Sequence, residues 1–157
     1  MLGLTLVCVG QLKEKYLCAA CAEYLKRLGA YCKTTIIEIE ESRATKGRTE
    51  NTIKQEEGVR ILSRVPPYGL VVTLEIEGRQ TSSAGFADIL AGAMTENGGH
   101  ITFVIGGSFG LSPQVSSRAD MAISFSKMTF PHQLMRVILL EQLYRGLNIL
   151  QGGKYHK

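Results

Sequence analysis

Apolar and polar positions along the chain fall into blocks whose period keeps changing. Leu4 to Val9 is a near-continuous apolar run of strand length. From Leu12 to Leu28 the period becomes helical, with Tyr16, Ala20, Tyr24 and Leu28 spaced by four, and Gly29 breaks it. Thr34 to Ile39 is β-branched and reads as a strand, whereas Thr49 to Val65 is amphipathic and helical until Pro66-Pro67 stops it. Leu70 to Ile76 is a second buried-strand run, and Ser83 opens a helix that ends near Gly98-Gly99. Ile101 to Ile105 is a third such run, followed by the glycine-rich turn Gly106–Gly110. Ser112-Pro113 fits a helix start, with Ser as N-cap and Pro at the first helical position. Met121 to Phe125 reads as a short strand, and Phe130-Pro131 opens a last helix running to about Ile149.

Strands and helices that alternate in this way predict an α/β fold with a mostly parallel sheet and helices on both faces, as a single domain over residues 1–157. Ligands in such folds bind at the carboxyl ends of the strands. Three loops follow the most buried strands and are the candidates: Glu75–Ser82, Gly106–Ser112 and Ser124–Phe130. The last helix adds a clue. Leu134, Met135, Val137, Ile138, Leu139, Leu140, Leu143, Tyr144 and Leu147 surround nearly its whole circumference. Either it packs on its own sheet and also on a second copy of the chain, giving a homodimer, or it is a central core helix.

Composition narrows the functional classes. With 45% hydrophobic and 20% charged residues in 157, the chain is not disordered. The balance of 18 Lys and Arg against 14 Asp and Glu, a net +4, permits an anionic partner without demanding one. The apolar start, Met1 to Gly10, is too short to cross a bilayer and lacks a basic leader. A cytoplasmic protein without membrane attachment is therefore expected. The four cysteines, Cys8, Cys18, Cys21 and Cys32, are then expected to be reduced. Cys18 and Cys21 form a C-x-x-C, but no second pair or nearby His completes a metal set, and small residues on a helix face explain them as well. No metal is expected.

Chemistry is carried by few residues. Gly106-Gly107-Ser108-Phe109-Gly110 matches neither the dinucleotide fingerprint nor a P-loop, so it is either a ligand-hugging loop or a plain tight turn. His132 stands at the start of the last helix beside a candidate loop, where it could accept a proton or simply begin the helix. His100 precedes a strand and is expected to be solvated. The tail Gly152-Gly153-Lys154-Tyr155-His156-Lys157 is basic and aromatic: a phosphate-gripping, base-stacking segment, or a frayed end.

Several runs together resemble one family. They are Leu6 to Tyr16, Val71 to Ile76, Phe103-Val104-Ile105-Gly106-Gly107 with Gly110, Ile123 to His132, Glu141-Gln142-Leu143-Tyr144-Arg145, and the terminal Tyr155-His156-Lys157. The family is the small SPOUT-class methyltransferases that methylate N3 of a pseudouridine in large-subunit ribosomal RNA. The resemblance implies a C-terminal trefoil knot, a homodimer, and S-adenosylmethionine as cofactor. It implies cofactor contacts at Leu74, at Gly106, and at Phe125, Ser126, Lys127, Met128, Thr129 and Phe130. An imide nitrogen must lose a proton to accept a methyl group. His132, Tyr155 and His156 are candidates for removing it, with the tail ranked first as the element that could close over RNA, and Arg136 and Arg145 are candidates for stabilising the charge. Arg145, Lys154, Tyr155, His156 and Lys157 are candidates for holding RNA, with an assembled ribosomal particle as the expected target. Phe109 departs from the small polar or acidic residue frequent in the family, and Ser42 to Asn51 match it least. Two other readings stay open: a SPOUT enzyme acting on another RNA such as transfer RNA, and a non-catalytic RNA-binding module that needs no cofactor.

Overall fold

A computed structural model describes all 157 residues. In chain order its elements are β1 (Leu2–Val9), α1 (Lys15–Leu28), β2 (Cys32–Ile39), α2 (Glu50–Leu62), β3 (Leu70–Gln80), α3 (Ser83–Thr95), β4 (His100–Ile105), α4 (Pro113–Arg118), β5 (Met121–Ser124) and α5 (His132–Leu150). The strands form one five-stranded sheet in the order β2-β1-β4-β3-β5, parallel at every pairing. No helix is long and apolar enough to cross a membrane.

Side chains alternate between the faces of a strand. Leu2, Leu4, Leu6 and Cys8 of β1 therefore join Val72, Ile101, Phe103 and Ile123 in one core, under α1, α3 and α5. Val7, Val9, Val71 and Val104 point the other way and meet Ile61 of α2 and Val115 of α4 in a smaller core. The result is three layers, with strands apolar on both faces because both are covered.

Helix starts follow side-chain chemistry. Thr49 Oγ1 accepts the Thr52 N–H at 3.2 Å, and Ser82 Oγ accepts the Gly85 N–H at 3.0 Å. Ser112 Oγ accepts the Val115 N–H at 3.3 Å with Pro113 inside the first turn, as its sequence predicts.

Several sequence expectations are corrected. β1 and β2 each begin two residues earlier, and α1 begins at Lys15 rather than Leu12, because Gly10 turns the chain at φ +89°. The buried face of α1 is Leu17, Cys21 and Leu28, so Tyr16 is exposed. β3 continues to Gln80, through part of the segment expected as a loop. Leu74 and Arg79 both sit opposite Ile123, so residues 75–78 bulge out between two pairings with β5. Gly78 makes that possible, since a Cβ there would lie 2.6 Å from the Ile123 carbonyl carbon.

α5 packs against both α1 and α3. Leu139, Leu140, Leu143 and Leu147 are buried in the chain's own core. Gly146 permits the close approach to α3: a Cβ there would meet Leu90 Cδ1 at 2.8 Å. Much of the all-round apolarity of this helix is therefore satisfied within one chain, with Leu134 and Leu150 left exposed near its ends.

His100 is not free in solvent. It is half-buried, lies against Tyr68 with ring centroids 5.1 Å apart, and has Nε2 3.1 Å from Thr5 Oγ1. Gly3 and Gly69 leave room for it, since a Cβ at either would fall within 2.6 Å of a His100 atom. Burial holds its pKa below the ordinary 6.5. The folded chain thus binds this proton less readily than the unfolded one, so the stability linked to it is present above pH 6.5 and declines as pH falls through the folded value. Thermal melting is expected to show a drop on acidification from about pH 7 to about pH 5 that is smaller in His100→Gln. Parallel pH profiles for the two proteins would exclude His100 as the responsive group.

Candidate functional site

Parallel strands end on the same rim, and here the ends are level. Leu74 of β3 pairs with Ile105 of β4 and with Ile123 of β5, while Ile105 also pairs with Cys8 of β1. Gly106 follows Ile105 directly, and Phe125 comes two residues after Ile123. Three segments far apart in sequence, at Leu74, Gly106 and Phe125–Phe130, are therefore brought together at one rim by strand register.

Each segment is shaped locally. Phe125 is half-buried and packs edge-on against Phe86, with centroids 5.8 Å apart. Ser126 holds the following turn: its carbonyl accepts the Ser124 hydroxyl at 2.9 Å, and its Oγ accepts the Met128 N–H at 3.0 Å. Lys127, Met128 and Thr129 are exposed, and Phe130 is half-buried. A cleft of about 220 Å³ opens beside Phe125, lined by Thr81, Ser83, Phe86, Ile138 and Gln142. A second opening, about 450 Å³, lies between the β3 bulge and Lys127. Phe125, Phe86 and Ile138 give the first cleft its apolar walls, and Thr81, Ser82, Ser83 and Gln142 its polar ones.

Gly106 has a different reason to be glycine from the one its sequence suggests. It is buried, and a Cβ there would sit 2.9 Å from the Gly110 carbonyl carbon and from Leu111 Cδ2. The space is filled by the turn folding back on itself, so any ligand would meet Gly106 through its peptide group. Gly110, at φ +83°, completes the turn by donating its N–H to the Gly107 carbonyl at 3.1 Å.

His132 and Arg136 lie one turn apart at the start of α5 and face the same rim. His132 Nε2 is buried without a hydrogen-bond partner. It lies 3.3 Å from the point where a Gly10 Cβ would stand, and Glu41 Oε2 lies 3.7 Å from that point. Arg136 is 3% exposed, donates from Nη1 to Glu38 Oε2 at 2.8 Å, and donates from Nη2 to the Gly10 carbonyl at 3.0 Å. Its charge is already answered by Glu38, which makes it a tie between α5 and the ends of β1 and β2. The neighbouring Cys8 thiol is pushed up to about 11 by burial, which outweighs the opposing pull of Arg136. It is a core group, not a nucleophile.

Tyr155 and His156 are not at this rim. The tail folds back along α5, with the Tyr155 N–H donating to Asn148 Oδ1 at 3.0 Å and its phenol donating to Glu141 Oε1 at 3.2 Å. Arg145 is 4.6 Å above the Tyr155 ring, bonds Glu141 through Nη2 at 2.5 Å, and has Nη1 3.3 Å from His156 Nδ1. Glu141 is nine residues beyond His132, about 14 Å along the helix at 1.5 Å per residue. The Tyr155 phenol is pushed up to about 12, first by burial and then by Tyr24 and Glu141, so in this position it is a donor and no proton acceptor. Lys154 and Lys157 are exposed.

No three His, Cys, Asp or Glu side chains are placed to share a metal ion. Cys21 is buried and Cys18 exposed on α1. Sequence reasoning missed Gly10, Glu38, Glu41 and Glu57 at the rim. Glu57 did leave a signal: it occupies the buried stripe of α2, between Ile53 and Ile61 at four-residue spacing.

A family model described as "Predicted SPOUT methyltransferase" matches residues 2–156. Among solved structures, the chain is similar to a probable methylase family protein from Haemophilus influenzae Rd KW20. That match has a TM-score of 0.56 and 14% identity, over 98% of this chain and 70% of the other, a likeness of fold.

Replacing Arg136 by Met should remove the tie between α5 and the strand ends and lower unfolding stability in urea by about 2–4 kcal/mol. A change below about 0.5 kcal/mol would mean that the helix start is held by other contacts.

Proposed function

The chain belongs to the SPOUT methyltransferase family, and we propose that it transfers a methyl group from S-adenosylmethionine to N3 of a pseudouridine in large-subunit ribosomal RNA. The observation that carries the cofactor reading is the meeting of Leu74, Gly106 and Phe125–Phe130 at one rim. The substrate reading rests on the resemblance of Ser126 to His132 and of Tyr155-His156-Lys157 to the ribosomal-RNA enzymes. The cofactor, when bound, supplies an electrophilic methyl group. The residues of this chain supply place and proton handling. Leu74 and Phe125 wall an adenine, and the Gly106 peptide and the 126–130 backbone offer hydrogen bonds. Displacement demands that the attacking nitrogen stand in line with the methyl group, so a rim of level strand ends is a suitable mount.

His132 is the best-placed proton acceptor, because its buried Nε2 is unpartnered and opens beside Gly10 at the same rim. Tyr155 and His156 lie too far along α5 to act at this rim from where they are docked. Their role in our reading is to grip RNA with Arg145, Lys154 and Lys157, or to serve the rim of a second copy in a homodimer. The family's C-terminal knot belongs to the same proposal, as do a cytoplasmic location and action on an assembled ribosomal particle.

Calorimetry with S-adenosylmethionine is expected to show binding by the full chain and its loss in Gly106→Val, whose side chain would force the 106–110 turn open. Unchanged affinity in the variant would refute this placement of the cofactor. A chain ending at Gly153 is expected to fold and bind cofactor but to leave ribosomal RNA unmethylated by mass spectrometry. Normal methylation by that chain would remove the tail from the mechanism, and methylation of transfer RNA alone would replace the substrate.

A further inference from the structure

Beneath the glycine turn lies a carboxylate that the proposed mechanism does not use. Glu57 of α2 is 2% exposed. Its Oε2 accepts the Ser42 N–H at 3.0 Å, and its Oε1 has no partner. A Cβ on Gly107 would stand 3.1 Å from that free oxygen and 3.0 Å from Val9 Cγ1, so the carboxylate lies directly under the backbone of Gly107. Gly107 and Gly110 face each other in an isolated antiparallel bridge whose one well-formed bond runs from the Gly110 N–H to the Gly107 carbonyl, and the N–H groups of Gly107 and Ser108 make no well-formed hydrogen bond. An unpaired buried acceptor therefore sits against a turn with uncommitted donors.

The surroundings hold this carboxylate in place. Arg60 donates to the Glu40 carbonyl at 2.8 Å and to Ser42 Oγ at 2.9 Å, and Arg48 pairs with Glu56. The segment after β2 is thereby tied to α2, and Ser108 Oγ donates back to it at Glu41 Oε1, 3.3 Å away. The next residue, Gly58, is equally constrained, since a Cβ there would lie 2.4 Å from Ser112 Oγ just beyond the turn. Glu57 is thus mounted rigidly on a helix, directly beneath the turn.

We propose that Glu57 is a positioning residue for the cofactor turn, its free Oε1 accepting a backbone N–H of Gly107 or Ser108 when S-adenosylmethionine is bound. Leaving such an acceptor unpaired is costly in the empty protein, and the closing hydrogen bond recovers that cost only in the loaded one. Burial raises the pKa of Glu57 above the usual carboxylate value, with the Ser42 N–H opposing and Glu41 reinforcing, consistent with a group that lacks a second donor. The inference rests on the cofactor reading given above.

The test is Glu57→Gln in the full chain, measured by calorimetry with S-adenosylmethionine and by thermal melting without it. Gln has one acceptor oxygen, so it can serve the Ser42 N–H or the turn, but not both. The expected result is affinity weaker by about tenfold with an unliganded melting temperature equal to or above that of the parent. Parent-like affinity overturns the proposal, and so does a fall in melting temperature that accounts for the lost binding, because Glu57 would then be merely structural. Gly107→Ala, whose Cβ would press on Glu57 Oε1 and Val9 and push the turn off the carboxylate while α2 keeps its own sequence, is expected to weaken binding similarly, and unchanged affinity there also counts against it. If the parent chain itself binds no S-adenosylmethionine, the cofactor reading fails first and takes this inference with it.

Discussion

A parallel sheet cannot leave either face in water without exposing apolar side chains, and everything else in this protein is arranged around that constraint. Leu6 and Phe103 need helices on one side, and Val7 and Val104 need them on the other. The crossovers that supply those helices all leave from the carboxyl ends of the strands. The covering of the sheet thus also gathers the loops. Level pairing of Leu74, Ile105 and Ile123 turns three distant segments into one rim, and no side chain at the rim had to arrange it.

What the rim does depend on is its buried polar groups. Arg136 is drawn out of water and answered by Glu38 and by the Gly10 carbonyl, which fixes where α5 begins and hence where His132 points. Glu57 is drawn out of water and answered only on one oxygen. Each keeps one buried atom unpartnered, Arg136 its Nε and Glu57 its Oε1, but Arg136 meets an opposite charge whereas Glu57 meets only a backbone N–H.

The tail is held by local chemistry. Tyr155 docks on its own helix through Glu141, Asn148 and the Arg145 guanidinium, and its phenol is held protonated there. Those contacts are partly exposed and mostly polar, joined by an edge-on contact of the Tyr155 ring with Tyr144, so each of them contributes modestly. Strong burial would have made the same residues purely structural.

Element order, the two-sided cores and the helix cap at Ser112 were legible in the sequence, because periodicity and capping act over a few residues. Leu74, Gly106 and Phe125–Phe130 were singled out through motifs that resemble a known family, and strand register brings them to one rim. The sequence did not reveal that Gly106 is a glycine for the sake of Gly110 and Leu111, that β3 bulges around Ile123, that His100 packs against Tyr68, or that Arg136 is neutralised by a residue 98 positions away. It also could not separate His132 from Tyr155 and His156. By itself, then, the sequence determined the order of strands and helices and which strands are apolar on both faces, since those follow from local spacing. Only the tertiary structure decided which polar groups meet and which stay unpaired, because burial and hydrogen bonding belong to pairs of atoms that the chain brings together from far apart.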